Sequence, residues 1–208
     1  MPKVIYDKYD KSLISSLPVI EFEGRIIVVL TPSETEKAVD FLLQQPLLGF
    51  DTETRPSFKR GFQHKVALLQ VACHDTCFLF RLNYTGLTPA IIRLLEDQKV
   101  KKVGLSWHDD LNMLHKLGTF ETGHFIDIQD LVSQIGIQDL GLQKIYANLF
   151  HQKISKRQQL SNWSADVLND KQKVYAATDA WACINIYEEI IKLKESNNYT
   201  LIVEEKQK

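Results

Sequence analysis

Three short segments of this 208-residue chain carry acidic side chains at spacings that could do chemistry. In the first, Leu47-Leu48-Gly49-Phe50-Asp51-Thr52-Glu53-Thr54, an apolar run ends in two acids two residues apart. On a strand that spacing sends both side chains to one face, where like charges repel and stabilise nothing by themselves. A hard divalent cation such as Mg²⁺ or Mn²⁺ reverses the cost, because it prefers carboxylate oxygens. The plainer alternative is a solvated strand end. In the second, an apolar strand reaching Leu105 runs into a helix whose first turn carries Asp109 and Asp110. Acids there complement the helix dipole, which suffices for Asp109. Asp110 instead shares a face with Leu114, and an acid on a core-leaning face needs a partner, a metal being one candidate. In the third, Tyr175 and Asp179 stack one turn apart on a long helix. Ala176, Ala177 and Ala180 around them let something pack closely. A chance Tyr–Asp pair on an amphipathic helix is the alternative.

These groups can converge only if the chain between them folds suitably. Residues 1–20 read as a loose lead-in, followed by a β-branched strand at 25–30. Thr31, Pro32 and Glu34 form a helix start with a capping box, and that helix should run to about Gln45, before Pro46. Strands are expected at 47–51, 66–73 and 77–82, the last two joined by a short turn at His74–Thr76 as an antiparallel hairpin. Helical patterns at 87–97, 109–117, 139–150 and 170–194 alternate with apolar strands at 100–105 and 125–128. Three strands followed by alternation predict a mixed α/β sheet covered by helices.

Composition narrows the partners. With 44% hydrophobic and 25% charged residues the chain is globular in type. It has no apolar run of about 18–20 residues, no secretory signal, and too few cysteines for a disulfide framework, so a cytoplasmic single-domain protein is expected. A net charge of −1 argues against a general nucleic-acid coat. It leaves room for an enzyme that grips a few nucleotides in one cleft, where metal supplies positive charge. Two basic clusters, Lys59, Arg60, His64, Lys65 and Lys153, Lys156, Arg157, are either solvated faces or strand guides. Cys73 and Cys77 lack a second ligand pair for zinc and read as small apolar residues beside a hairpin turn. Trp163 and Trp181 read as core, and Asp127 as a structural cap.

Together, Phe50-Asp51-Thr52-Glu53-Thr54, the Asp110/Leu114 turn and Tyr175-Ala176-Ala177-Thr178-Asp179 resemble the DnaQ-like (DEDD) 3′–5′ exonucleases of the ribonuclease-H-like fold. Ribonuclease D and Werner-type exonuclease domains are similar in a further segment, Leu160-Ser161-Asn162-Trp163. A Tyr at 175, with Val174 rather than His before it, matches the tyrosine branch (DEDDy). The resemblance covers residues 25–195, leaving a lead-in at 1–24 and a tail at 196–208. It implies a mixed five- or six-stranded sheet flanked by helices. It also implies two divalent ions, Mg²⁺ or Mn²⁺, that clamp an in-line displacement at phosphorus. Carried over, Asp51 would bridge both ions, Glu53 and Asp179 would complete the site that generates the attacking hydroxide, and Asp110 would support the second ion. Tyr175 would orient the water, and a nucleoside 5′-monophosphate would leave the 3′ end of single-stranded or 3′-ended DNA or RNA. Thr52, Lys59, Arg60, His108 and Trp163 are the candidates for substrate contact. A catalytically silent nucleic-acid or protein-binding module on the same fold is the alternative; four acids and the Tyr, all present, favour the enzyme.

Overall fold

The lead-in is ordered. In the computed structural model, which describes residues 2–59 and 61–203, β1 (Lys3–Tyr6), a helical turn α1 (Lys11–Ile14) and β2 (Val19–Ile20) precede the first strand of the main sheet. The chain continues through β3 (Arg25–Val29), α2 (Pro32–Leu42), β4 (Leu47–Thr54), β5 (Val66–Ala72), β6 (Thr76–Phe80), α3 (Leu82–Thr85) and α4 (Pro89–Glu96). Next come β7 (Lys101–Gly104), α5 (Trp107–His115), β8 (Phe125–Asp127), α6 (Ile128–Ser133), α7 (Leu142–Phe150), β9 (Lys153–Ile154), α8 (Asp170–Ser196) and β10 (Tyr199–Ile202).

Local chemistry starts the elements where the sequence places them. The Thr31 side chain accepts from the Glu34 N–H while Glu34 returns the bond, closing the expected capping box on α2. That helix ends at Leu42, a few residues short of Gln45. Asn169 and Gln172 make the same reciprocal pair at the start of α8. The six-stranded sheet has the order β3-β6-β5-β4-β7-β8, with β4 antiparallel to β5 and parallel to β7. The β5–β6 pair is the expected antiparallel hairpin. Every residue of β5 and β6 is buried, because helices cover both faces. On one side lie α6, α7 and α8; on the other, α2, α4 and α5.

The packing of α8 on β4 decides where the acids go. A Cβ added to Gly49 would stand 2.0 Å from the Ala180 carbonyl oxygen and 3.0 Å from Ile184 Cγ1. Ala176, Ala177 and Ala180 are fully buried against the sheet. Helix backbone therefore rests almost directly on strand backbone, and Asp179, next to Ala180, is carried to the β4 surface.

The lead-in and tail are tied to this frame. β1 pairs in parallel with β10, from Lys3–Tyr199 to Tyr6–Ile202, and β2 pairs with β9. The buried Asn148 side chain accepts from the Tyr6 N–H at 2.9 Å and donates to the Tyr6 carbonyl at 2.7 Å. Phe22 N–H donates to Thr178 Oγ1 at 3.0 Å, beside Asp179. The looseness expected of residues 1–20 fails because these ladders join opposite ends of the chain, which local periodicity does not report. Among the described residues no helix is long and apolar enough to cross a membrane.

Gly49→Ala should lower stability by about 1–3 kcal/mol, since the atom it meets is backbone and cannot rotate away. In a domain this size that is a fall of about 2–4 °C per kcal/mol in thermal unfolding. An unchanged melting temperature would mean that α8 does not sit on β4 as closely as described.

Candidate active site

β4 emerges from the core as it reaches the acids: Leu47–Phe50 are buried, and the residues from Asp51 onward are half-buried. Strand alternation turns Asp51 and Glu53 toward α8, where they meet Asp179. One oxygen from each of the three carboxylates lies within 4.8 Å of the other two. Thr52 points the other way, and its hydroxyl donates to Asp110 Oδ1. Asp110 is thus tied to β4, near enough for its charge to act on Asp51, by a residue that sequence reasoning treated only as a substrate contact.

The start of α5 is fixed by Asp127. Its carboxylate accepts from the Ser106 N–H at 3.1 Å, the Trp107 N–H at 2.8 Å and the Gln129 N–H at 2.9 Å, capping α5 and α6 together. The cap expected at Asp127 therefore serves two helices. It also restrains Ser106, whose φ of 60° is a left-handed conformation uncommon for a non-glycine residue. Asp109, in the first turn of α5, is exposed, as its role beside the helix dipole requires.

Tyr175 lies one turn before Asp179 on α8, and the two side chains line the same cavity. The Tyr175 ring leans on Trp163, centroids 5.8 Å apart. Trp163 is wholly buried and has no free face to offer a base. Gln172 holds the segment before α8 by donating to Ser161 Oγ at 3.0 Å and the Asn162 carbonyl at 3.3 Å. A cavity of about 290 Å³ opens over Asp51, Glu53, Asp179 and Tyr175, with Lys156 on its wall. Of the second basic cluster, Lys153 instead donates to the Ser15 carbonyl, and Arg157 is exposed. Lys59 and His108 are exposed, and Arg60 lies outside the described residues. His64 sits edge-on to Phe62 at 4.8 Å.

Crowding these acids together raises their pKa values. Burial, then the charges of Asp110 and Asp179, push Asp51 well above the usual carboxylate range. Burial and the neighbouring acids push Glu53 up to about 10. Burial raises Asp179 to about 7, against the hydrogen bond from Tyr175 and the charge of Lys156. Burial also lifts Asp110 to about 6, although the Thr52 bond works against it. Asp179 Oδ1 is buried without a hydrogen-bond partner. A set of clustered carboxylate oxygens, one of them unsatisfied, fits a hard divalent cation.

The sign of the resulting pH dependence follows from linkage. These carboxyls hold their protons to higher pH in the folded chain than in the unfolded one, whose acids titrate near 3.8–4.5. Metal-free stability should therefore fall as pH rises from about 4 to about 7, the value for Asp179, and further toward the Glu53 value. A bound cation must displace the same protons, so Mn²⁺ affinity should climb over that interval. Thermal unfolding in EDTA and Mn²⁺ calorimetry at several pH values check both slopes; a pH-independent affinity would contradict the coupling.

Residues 26–194, from β3 into α8, match the 3′–5′ exonuclease domain family. The Mus musculus bifunctional 3′–5′ exonuclease/ATP-dependent helicase WRN is 27% identical over 191 residues, spanning 87% of this chain but 14% of its own length. An Arabidopsis thaliana 3′–5′ exonuclease is 29% identical over 199 residues, 87% of this chain and 68% of that protein. Among solved structures, the Aedes aegypti Nibbler EXO domain superposes with a TM-score of 0.75 at 22% identity, covering 85% of this chain and 92% of that one, a likeness of fold. Since the matched span takes in β4, α5 and the Tyr175–Asp179 turn of α8 together, the chain belongs to the 3′–5′ exonuclease family.

Proposed function

We propose that this chain is a metal-dependent 3′–5′ exonuclease of the tyrosine branch, removing nucleoside 5′-monophosphates from the 3′ end of single-stranded or 3′-overhanging nucleic acid. The observation that carries this reading is the meeting of Asp51, Glu53 and Asp179 within 4.8 Å, with Tyr175 lining the same cavity. Asp51, Glu53 and Asp179 would hold a pair of divalent cations, Mg²⁺ or Mn²⁺, with Asp110, held by Thr52, supporting them. Bound there, such ions offset the charge of the phosphodiester and turn water into a nucleophile near neutral pH.

The remaining roles belong to the chain itself. Burial and the surrounding carboxylates raise the Tyr175 pKa, so its hydroxyl stays protonated and serves as a donor. It orients the attacking water rather than deprotonating it. Trp163, behind its ring, fixes that orientation without touching the substrate. Lys156 meets the phosphate from the cavity wall. A cavity of about 290 Å³ is at the small end of ligand sites, suited to a single terminal nucleotide rather than a duplex.

The strand upstream of that nucleotide would follow the 55–65 loop. A second cavity, about 660 Å³, lies beside it and is bordered by Phe62, His64, Lys65 and Ser164. An exposed aromatic beside a cation is the combination that holds single strands, by base stacking and phosphate attraction. Lys59 on the loop, and His108 at the start of α5, would add contacts of the second kind.

Oligonucleotides labelled at the 5′ end, DNA and RNA, incubated with Mg²⁺, Mn²⁺ or EDTA, test the reading. A metal-dependent ladder shortening from the 3′ end is expected, and comparing the two sugars identifies the preferred one. Asp51→Asn should reduce cleavage to background with an unaltered fold, because its apolar supports remain. Full turnover in that variant would remove Asp51 from the mechanism. Tyr175→Phe should slow turnover on the order of 10²-fold, the usual cost of losing one well-placed donor, while sparing Mn²⁺ binding. Collapse of Mn²⁺ binding in calorimetry on that variant would contradict the orienting role.

A further inference from the structure

Gln70 is buried chemistry that the roles above leave unexplained. It sits in the middle of β5, fully buried, directly opposite Asp51 on β4 and Leu79 on β6. Opposed residues of an antiparallel pair point to the same face, so Gln70 and Asp51 both lie under α8. Its same-face neighbours Leu68 and Ala72 belong to the apolar core there. Neither Gln70 Oε1 nor Nε2 has a hydrogen-bond partner. Such an amide in an apolar floor opposes folding, since both polar groups lose water and gain nothing. An apolar side chain of similar length would suit the core better.

We infer that Gln70 is a positioning residue for Asp51, its amide donating to that carboxylate from the core side when Asp51 is drawn toward divalent cations. The inference rests on the exonuclease reading of the site. Directly opposed Cβ atoms lie about 4.5–5.5 Å apart, a gap that a glutamine spans by a change of side-chain rotamer. The Thr52 N–H already donates to Asp51 Oδ1 at 2.9 Å, and a carboxylate has further lone pairs for a second donor. An amide is the suitable donor in this place. A lysine would compete with cations for the acids, and another acid would add to their repulsion. Glutamine donates without changing the charge, as the outer partners of metal-holding carboxylates do.

Gln70→Met and Gln70→Leu, made in the full chain, separate this role from a structural one. In EDTA both variants should unfold about 2–4 °C or more above wild type, because an unsatisfied amide has been removed. Calorimetry with Mn²⁺ alone should show affinity weakened 10–100-fold. Turnover should fall at low Mn²⁺ and recover as Mn²⁺ is raised, whereas Asp51→Asn should not recover. Wild-type Mn²⁺ affinity in either variant would overturn the inference. So would a lowered melting temperature, which would make the amide a part of the core. Wild-type protein that binds no Mn²⁺ would overturn the exonuclease reading along with it; binding in wild type that both variants match overturns the role of Gln70 alone.

Discussion

Helix α8 brings an acid beside Asp51 only because Gly49 places nothing between the strand and the helix backbone. The approach to the Ala180 carbonyl is too close for any side chain at that strand position, and the three alanines on the facing turns keep the helix equally bare. Bulk returns farther along α8, where Ile184, Ile186 and Ile190 fill the core. The helix is therefore narrow where it carries Tyr175 and Asp179 and broad where it anchors. With that contact made, the 4.8 Å gathering of Asp51, Glu53 and Asp179 follows from two periodicities, the two-residue repeat of β4 and the four-residue turn of α8.

Holding like charges this way costs free energy that the rest of the molecule must offset. Lys102 makes a useful contrast. It too is fully buried, yet its ammonium donates to the Asp97 carbonyl at 2.6 Å and the Val100 carbonyl at 3.1 Å, over the ring of Phe125. Burial still brings its pKa down to about 8. Elsewhere in the fold, then, a buried charge comes with partners of complementary polarity. At the acid cluster the neighbours are other acids, and Asp179 Oδ1 and both polar atoms of Gln70 lack partners. Among the described residues Arg81 Nε and Trp107 Nε1 are also buried without partners, but only at the end of β4 do unsatisfied groups gather beside clustered like charges, and there function is expected to outweigh stability.

What could be read from the sequence was what depends on near neighbours along the chain. The Thr31–Glu34 box, the turn between β5 and β6, the face shared by Asp51 and Glu53, and the Tyr175–Asp179 stack each involve residues no more than a few positions apart. The β1–β10 ladder joins four-residue strands at opposite ends of the chain, too short for either to show a period alone. Strand register was equally invisible: nothing near Gln70 reveals that it faces Asp51. Among the site candidates, the spacing of Thr52 marked its neighbours rather than its own hold on Asp110. Lys156 could not be told apart from Lys153, three residues away, although one faces the cavity and the other ties down the lead-in.

β4 joins the two helical layers through successive side chains. Asp51 and Glu53 face α8, while Thr52 between them faces α5. The supports behind the two faces differ. Asp179 rides on a helix of 27 residues seated on the central strands of the sheet. Asp110 rides on one of 9 residues whose first turn hangs from Asp127, at the end of the edge strand β8. A rigid half therefore defines where the three gathered acids stand, and a lighter half, linked to it through the Thr52 hydroxyl, carries the fourth. A displacement of α5 that keeps this bond pulls on Thr52, whose neighbours on the strand are both members of the cluster, so the bond couples the fourth acid to the other three.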